Sequence, residues 1–452
     1  MKTTIDTTQL RATVHRLMPG VRADLERLIR IPSISHAGFD SAEVRRSAET
    51  TRDLFAALGL ESRVLEVPEC DHPAVLARIP APPGAPTVLL YAHHDVQPTG
   101  PRELWHSDPF GPVEKDGRLY GRGADDDKAG VVSHLGALRA HDARPPVGVT
   151  IFIEGEEEAG SSHLAEYLRR YGSELHADAF LLADMGNWRV GQPALTTSLR
   201  GIASCIIEVR TLDHAVHSGE YGGPIPDAIT VLARTLATLH DERGNVAVPG
   251  RPKARAASVD IDEDQLRRDA GVRPGVRLIG DGGINERRWA KPAIDVIGFD
   301  APSVQGATNQ LVPSARAKVS MRLAPGDDPE EARRALVTHL ESHVPWGAEV
   351  RITPEATGKP YQLSASGPAF DAMRRAMTEA YGKKPVDIGS GGTIPFVADL
   401  AKANPGAPLL LTGAGDPTSN AHSEDESVDL GDLERAVLAE ALFLSYLAES
   451  RT

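Results

Sequence analysis

Several short apolar runs, far apart in the chain, each stop at a histidine or a carboxylate. The first lies in Leu89–Pro98, reading LLYAHHDVQP, where an apolar run continuing from Thr87 ends at His93, His94 and Asp95. A short unbroken apolar run bounded by Pro and Gly is the pattern of a fully buried strand. Val147–Ile153 runs out into Glu154-Gly155-Glu156-Glu157-Glu158, and Ala179–Ala183 ends in Asp184. Pro408–Leu411 is followed by GAGDPTSNAHSED, which carries His422. In α/β sheets the ligand site lies beyond the carboxyl ends of the strands. Any one of these ends is an ordinary polar loop, and a lone His is more often structural than a ligand. Together they supply His, Asp, Glu, Asp and His once the acidic run Asp125-Asp126-Asp127 is counted. That mixed nitrogen and oxygen set suits zinc or a neighbouring transition metal.

The three aspartates stand before a helix expected from about Lys128 to His141. Adjacent carboxylates repel one another; a solvated turn or a helix N-terminus tolerates them, and a cation suits them.

With 452 residues the chain has room for two or more domains. A formal charge of −14 argues against nucleic acid as the main partner. Cys70 and Cys205 are far apart, which fits a reducing compartment rather than a disulfide framework. The N-terminus MKTTIDTTQL has no apolar core, and no run approaches about 18 apolar residues. We therefore expect a cytoplasmic protein with no membrane partner. Leu10, Val14, Leu17, Val21, Leu25 and Leu28 space a helix over Thr7–Arg30, with Pro19 expected to break or start a helix. From Leu199 the texture changes. GIASCIIEVR, a helix over Ala228–His240, the strands Ala315–Leu323 and Glu349–Thr353, and a helix over Glu330–His343 between them make a small α+β unit. The strand bearing His422 must return to the first sheet. The expected organisation is a discontinuous catalytic domain, about 1–198 plus 361–452, interrupted by an inserted domain of about 199–360.

Two metals about 3.5–4 Å apart can share a water, lower its pKa toward neutrality and clamp both oxygens of a tetrahedral intermediate. One bridging carboxylate and two further ligands per metal suffice, which five candidates meet. Glu157, beside the candidate ligand Glu158, is placed to take the water's proton and pass it to a leaving amine. Asp95 suits the acceptor that holds the His93 tautomer. There is no GxSxG elbow, and neither Cys has a convincing His nearby in sequence. Metal-assisted hydrolysis is thus expected over acyl transfer by a protein nucleophile.

YAHHDVQP, LYGRGADDDKAG, EGEEEAGSSHL, LLADMGNW, HAVHSGEYGG, SMRLAPGDDP, GGTIPF and NAHSEDE occur in this order between residues 91 and 426. Together they resemble the co-catalytic di-zinc metallopeptidases that include aminoacylase and acetylornithine deacetylase, most of all the carnosinase-like cytosolic dipeptidases. The resemblance implies a zinc-peptidase-like three-layer α/β catalytic domain with an inserted α+β lid and dimerisation domain. It implies two Zn2+ per subunit, with Mn2+ or Co2+ as substitutes: His93 and Asp184 on one, Glu158 and His422 on the other, Asp126 between them. A cis peptide is implied between Asp126 and Asp127, with Glu157 as general acid/base and Asp95 as the orienting carboxylate. His217, otherwise a turn residue, resembles the lid histidine that reaches the partner subunit's site and stabilises the oxyanion. Arg322, otherwise a surface arginine on a strand, resembles the one that binds the substrate's terminal carboxylate. Gly392 and Thr393, otherwise a capped helix start, resemble a substrate-contacting loop.

Two departures fall where side-chain selectivity is set. Gly389-Ser390-Gly391-Gly392-Thr393 stands where the dipeptidases often have Arg-Glu-Gly-Gly-Ser, and Gln310 precedes Leu-Val-Pro where they have Thr or Asn. The expected activity is hydrolysis of dipeptides or small peptides by a homodimer. A deacylase of N-acyl-amino acids is the alternative within the family, and a non-catalytic metal-binding or scaffold protein the alternative outside it. The intact Glu157 counts against the last, because binding alone needs no proton shuttle.

Overall fold

The computed structural model describes residues 6–254, 259–392 and 395–449. The chain divides into two compact units, Met1–Thr197 with Leu363–Ile388 and Pro395–Thr452, and Ser198–Gln362 with Gly389–Ile394.

The first unit is built on a mixed sheet. Seven of its nine strands are β1 (Glu61–Leu65), β2 (Ala74–Ile79), β3 (Thr87–His93), β4 (Gly148–Glu154), β5 (Ala179–Leu182), β6 (Ala194–Leu199) and β7 (Leu409–Leu411), in the spatial order β1-β2-β4-β3-β5-β7-β6. The four central strands β4, β3, β5 and β7 are parallel, and they are the four apolar runs of the sequence. Their continuous apolar character reflects burial on both faces. Val88, Leu90 and Ala92 join a core with helices α1 (Thr7–Ile29), α3 (Lys128–Ala140) and α6 (Leu430–Glu449). On the opposite face Phe152 meets Tyr91 and, edge-on, Tyr167 of α4 (Leu164–Tyr171). Two further helices, α2 (Ser41–Ala56) and α5 (Pro368–Tyr381), add to the first layer. Gly136 lets α3 lie close to its neighbours: a Cβ there would sit 2.8 Å from a Val437 methyl and 3.1 Å from one of Val21.

Register fixes the site. His93 pairs with Glu154, and Leu182 pairs with both Tyr91 and Leu411. The carboxyl ends of the four parallel strands therefore lie side by side.

Pro19 neither breaks nor starts a helix; α1 runs through it. The proline forfeits one backbone hydrogen bond, and the buried stripe of Val14, Val21, Leu25 and Leu28 on either side holds the helix together.

The second unit is α+β. Its four-stranded antiparallel sheet has the order Ala293–Asp300, Ser314–Leu323, Gly201–Arg210, Glu349–Gly358. Helices Ala228–Ala237 and Pro329–Ser342 bury Val231, Leu232, Leu336 and Leu340 against Cys205, Ile207, Val319 and Met321 of the sheet. The strand Ala293–Asp300 is not foreseen from the sequence: past Ile294 it is exposed, so no buried face imposes a period on it. Among the described residues no helix is long and apolar enough to cross a membrane.

Candidate metal centre

Beyond the strand ends, two groups of three donors form around one shared carboxylate. His93, Asp126 and Asp184 make one group; Asp126, Glu158 and His422 make the other, with ligand atoms in each group within 4.8 Å of one another. His93 is the last residue of β3, Asp184 lies just past β5, and Glu158 lies in the turn after β4. His422 lies in the loop after β7, at a left-handed φ of 64° that a non-glycine residue seldom adopts. His93 Nε2 is 3.0 Å from Asp126 Oδ1, and His422 Nε2 is 2.9 Å from Asp126 Oδ2. The two oxygens of Asp126 thus face two different imidazoles. Asp184 Oδ1 is 4.0 Å from His93 Nε2, and Glu158 Oε2 is 3.3 Å from His422 Nε2. The peptide bond between Asp126 and Asp127 is cis.

The flanking aspartates point elsewhere. Asp127 accepts the His93 amide at 3.2 Å and the Gly130 amide at 3.2 Å, capping α3. Asp125 is pushed well up by burial and by the nearby Glu426. His94 turns away to the Pro73 carbonyl at 2.9 Å, and burial pushes it down to about 4.

The electrostatics fit divalent cations. Burial drives the Asp184 carboxyl well up, and Glu158 is raised by burial and then by Asp126. His422 is pushed up to about 11 by hydrogen bonds to Asp126 and Glu158. Burial raises Asp126, but hydrogen bonds with His422 and His93 outweigh it and hold this carboxyl well below the usual range. Carboxylates crowded in a desolvated cleft need positive charge. One nitrogen and two oxygens in each group suit zinc, manganese or cobalt.

Glu157 belongs to neither group. Its Oε2 lies 4.0 Å from His93 Nε2, at the mouth of the first. Burial is the main cause that drives its carboxyl well up. Asp95 is fully buried behind His93, whose Nδ1 lies 3.1 Å from the Asp95 carbonyl oxygen and 3.5 Å from its Oδ1. The same carboxylate accepts from Ser35 Oγ at 2.7 Å and from the amides of Glu157 and Glu158 at 3.3 and 3.0 Å. It therefore positions both the imidazole and the acidic turn.

Over residues 89–445 the chain matches the family described as Peptidase family M20/M25/M40. It belongs to that family. A cysteinylglycine-S-conjugate dipeptidase of Corynebacterium striatum is 37% identical over 395 residues, 86% of either chain. The structure of human carnosine dipeptidase 1 superposes with a TM-score of 0.87 at 23% identity, covering 98% of this chain and 99% of that one. The dipeptidase Dug1p of Saccharomyces cerevisiae gives 0.86 at 24%, with the same coverage. This M20 peptidase is thus an enzyme with a mixed α/β fold and candidate sites for divalent metal.

Three other predicted site residues of this M20 peptidase belong to the second unit. His217 is exposed, its Nδ1 accepting the Gly219 amide at 3.0 Å. Arg322 lies on the strand Ser314–Leu323, its guanidinium pushed down by burial. The Gly392 amide donates to Ser390 Oγ at 3.1 Å. Thr393 lies outside the described residues.

Two residues escape the sequence reading. Gln97 Nε2 donates to Glu158 Oε2 at 2.6 Å; the DVQP motif contained it without indicating a role. Glu426 accepts the amides of Gly123, Asp125 and Asp126 at 2.9–3.0 Å and the buried Arg122 Nη1 at 2.7 Å. It ties the aspartate turn to the segment carrying His422. Its only sequence signal is its place in the acidic run after that histidine. Glu426→Ala leaves Arg122 buried without its counter-charge and is expected to cost about 3–5 kcal/mol, read by urea unfolding. Unchanged stability would show that the clamp carries little of the fold.

Proposed function

We propose that this peptidase hydrolyses the amide bond of dipeptides or small peptides with a free carboxylate, using two Zn2+ per subunit. The observation that carries this is the division of Asp126, one oxygen toward each histidine. His93, Asp126 and Asp184 would hold one cation, and Asp126, Glu158 and His422 the other. Bound there, the cations supply Lewis-acid polarisation of the scissile carbonyl and lower the pKa of a shared water.

The chain's own groups do the rest. Glu157 takes the water's proton on a carboxylate oxygen and returns it to the leaving amine nitrogen. A carboxyl raised by burial is suited to doing both near neutral pH. Asp95 holds His93 with Nε2 facing the cation site. His217 accepts at Nδ1, so the neutral ring carries its proton on Nε2, free to donate to an oxyanion in the partner subunit's site. Arg322 would grip the terminal carboxylate, with Arg200 close enough to add to the positive field. Gly392 and Thr393 would contact the substrate backbone.

A homodimer joined through the second unit is supported by the edge strand Ala293–Asp300, which exposes Val296, Ile297 and Phe299. A cytoplasmic location is supported by the two free thiols, Cys70 and Cys205.

The test is turnover by zinc-loaded protein of dipeptides against N-acetyl and N-succinyl amino acids. Dipeptides are expected to be cleaved and the acyl amino acids to be poor; turnover of the acyl amino acids alone would make the protein a deacylase. For the cross-subunit role, His217→Ala mixed with an equal amount of Glu157→Ala should recover about a quarter of wild-type activity, since half the dimers are mixed and each has one complete site. No recovery on subunit exchange would overturn that role.

A further inference from the structure

A third convergence of donors lies apart from the metal centre. Cys70, between β1 and β2, Glu156, after β4, and His163, at the start of α4, bring a thiol, a carboxylate and an imidazole together. Their ligand atoms all lie within 4.8 Å of one another. Glu156 and His163 are already close, with Oε1 3.0 Å from Nδ1. A tetrahedral zinc site places ligand atoms about 3.3–3.8 Å apart, given bonds of about 2.0–2.3 Å. The carboxylate and imidazole are thus already at about the spacing of a bound ion, with the sulfur within 4.8 Å of both.

We propose that Cys70, Glu156 and His163 form a separate site for a borderline-soft divalent cation such as Zn2+. Sulfur, nitrogen and oxygen donors in one cluster favour zinc over magnesium or calcium. Glu156 is buried, while the His163 side chain is 28% exposed, which leaves an entry path. A capping pair alone would account for Glu156 and His163, whose backbone amide donates to Glu156 Oε2 at 3.0 Å. The Cys70 thiol, which donates to the His72 carbonyl at 3.3 Å, would exchange that bond for the cation. The site shares no ligand with the catalytic groups, but Glu156 is joined in sequence to Glu157 and Glu158. Its carbonyl accepts the amides of Ala159 and Ser161 at 3.2 and 2.9 Å. A cation held there would pin the turn that carries the proposed acid/base.

The chain has two cysteines, and Cys205 is buried in the second unit's sheet, so sulfur ligation reports on Cys70. Reduced, chelated full-length protein is titrated with Co2+ and monitored in the near-ultraviolet, where thiolate-to-cobalt charge transfer absorbs. The catalytic groups contain no sulfur and give no such band. The band is expected in wild type and Cys205→Ser and should be absent in Cys70→Ser. The last should also bind one fewer cobalt per chain while keeping dipeptidase activity. His163→Ala should weaken the band's midpoint at least about tenfold. A wild-type protein with no band at cobalt saturation overturns the proposal. So does a band that survives Cys70→Ser, or one whose midpoint His163→Ala leaves unmoved. Loss of the proposed dipeptidase activity would leave these readouts intact, so the two proposals fail separately.

Discussion

Glu157→Gln lowers turnover of a dipeptide by about 10²–10⁴-fold, the usual contribution of a general acid/base, while the cation content stays that of wild type. The separation of these effects has a geometric cause. Glu157 Oε2 stands 4.0 Å from His93 Nε2 and is in neither donor group. The substitution keeps the size of the side chain and removes only its capacity to take a proton. Turnover on saturating substrate and metal content by mass spectrometry check it together. Unchanged turnover rejects the shuttle, and metal loss in step with activity would make Glu157 a ligand instead.

Asp126→Ala is expected to empty both positions and reduce activity to background. This side chain alone is common to both groups, so its removal leaves each with two donors. Removing a supporting partner of a ligand already costs about 10–100-fold in affinity, and losing a ligand from each site costs at least that at both. Asp184→Ala removes one donor from the first group only and should leave the second ion bound. Metal content after gel filtration distinguishes them. Two ions retained in Asp126→Ala would sink the bridging assignment.

Much of this centre was legible because parallel strands covered on both faces advertise themselves as apolar runs, and the polar residues after every such run gather at one end of the sheet. His93, Asp184, His422 and the acidic run that contains Glu158 all follow such runs. Which of the three aspartates turns inward was not legible from the residues. Asp125, Asp126 and Asp127 are chemically identical, and only the backbone path decides that Asp127 caps a helix while Asp126 faces the histidines; the family resemblance supplied that choice. Glu426 and Gln97 were missed because their partners are backbone amides and a side chain brought near by the fold. Pro19 misled because a local rule about proline yields to the packing of a long buried stripe.

The placement of β7 has a consequence for synthesis. It lies between β5 and β6, although both precede it by more than 200 residues. Until Leu409–Leu411 leaves the ribosome, the nascent first unit presents two bare strand edges and lacks one imidazole. The second unit, all of it encoded before Leu409, has its chain available to fold while that slot waits. Competence to capture both ions therefore arrives only once His422 has been synthesised.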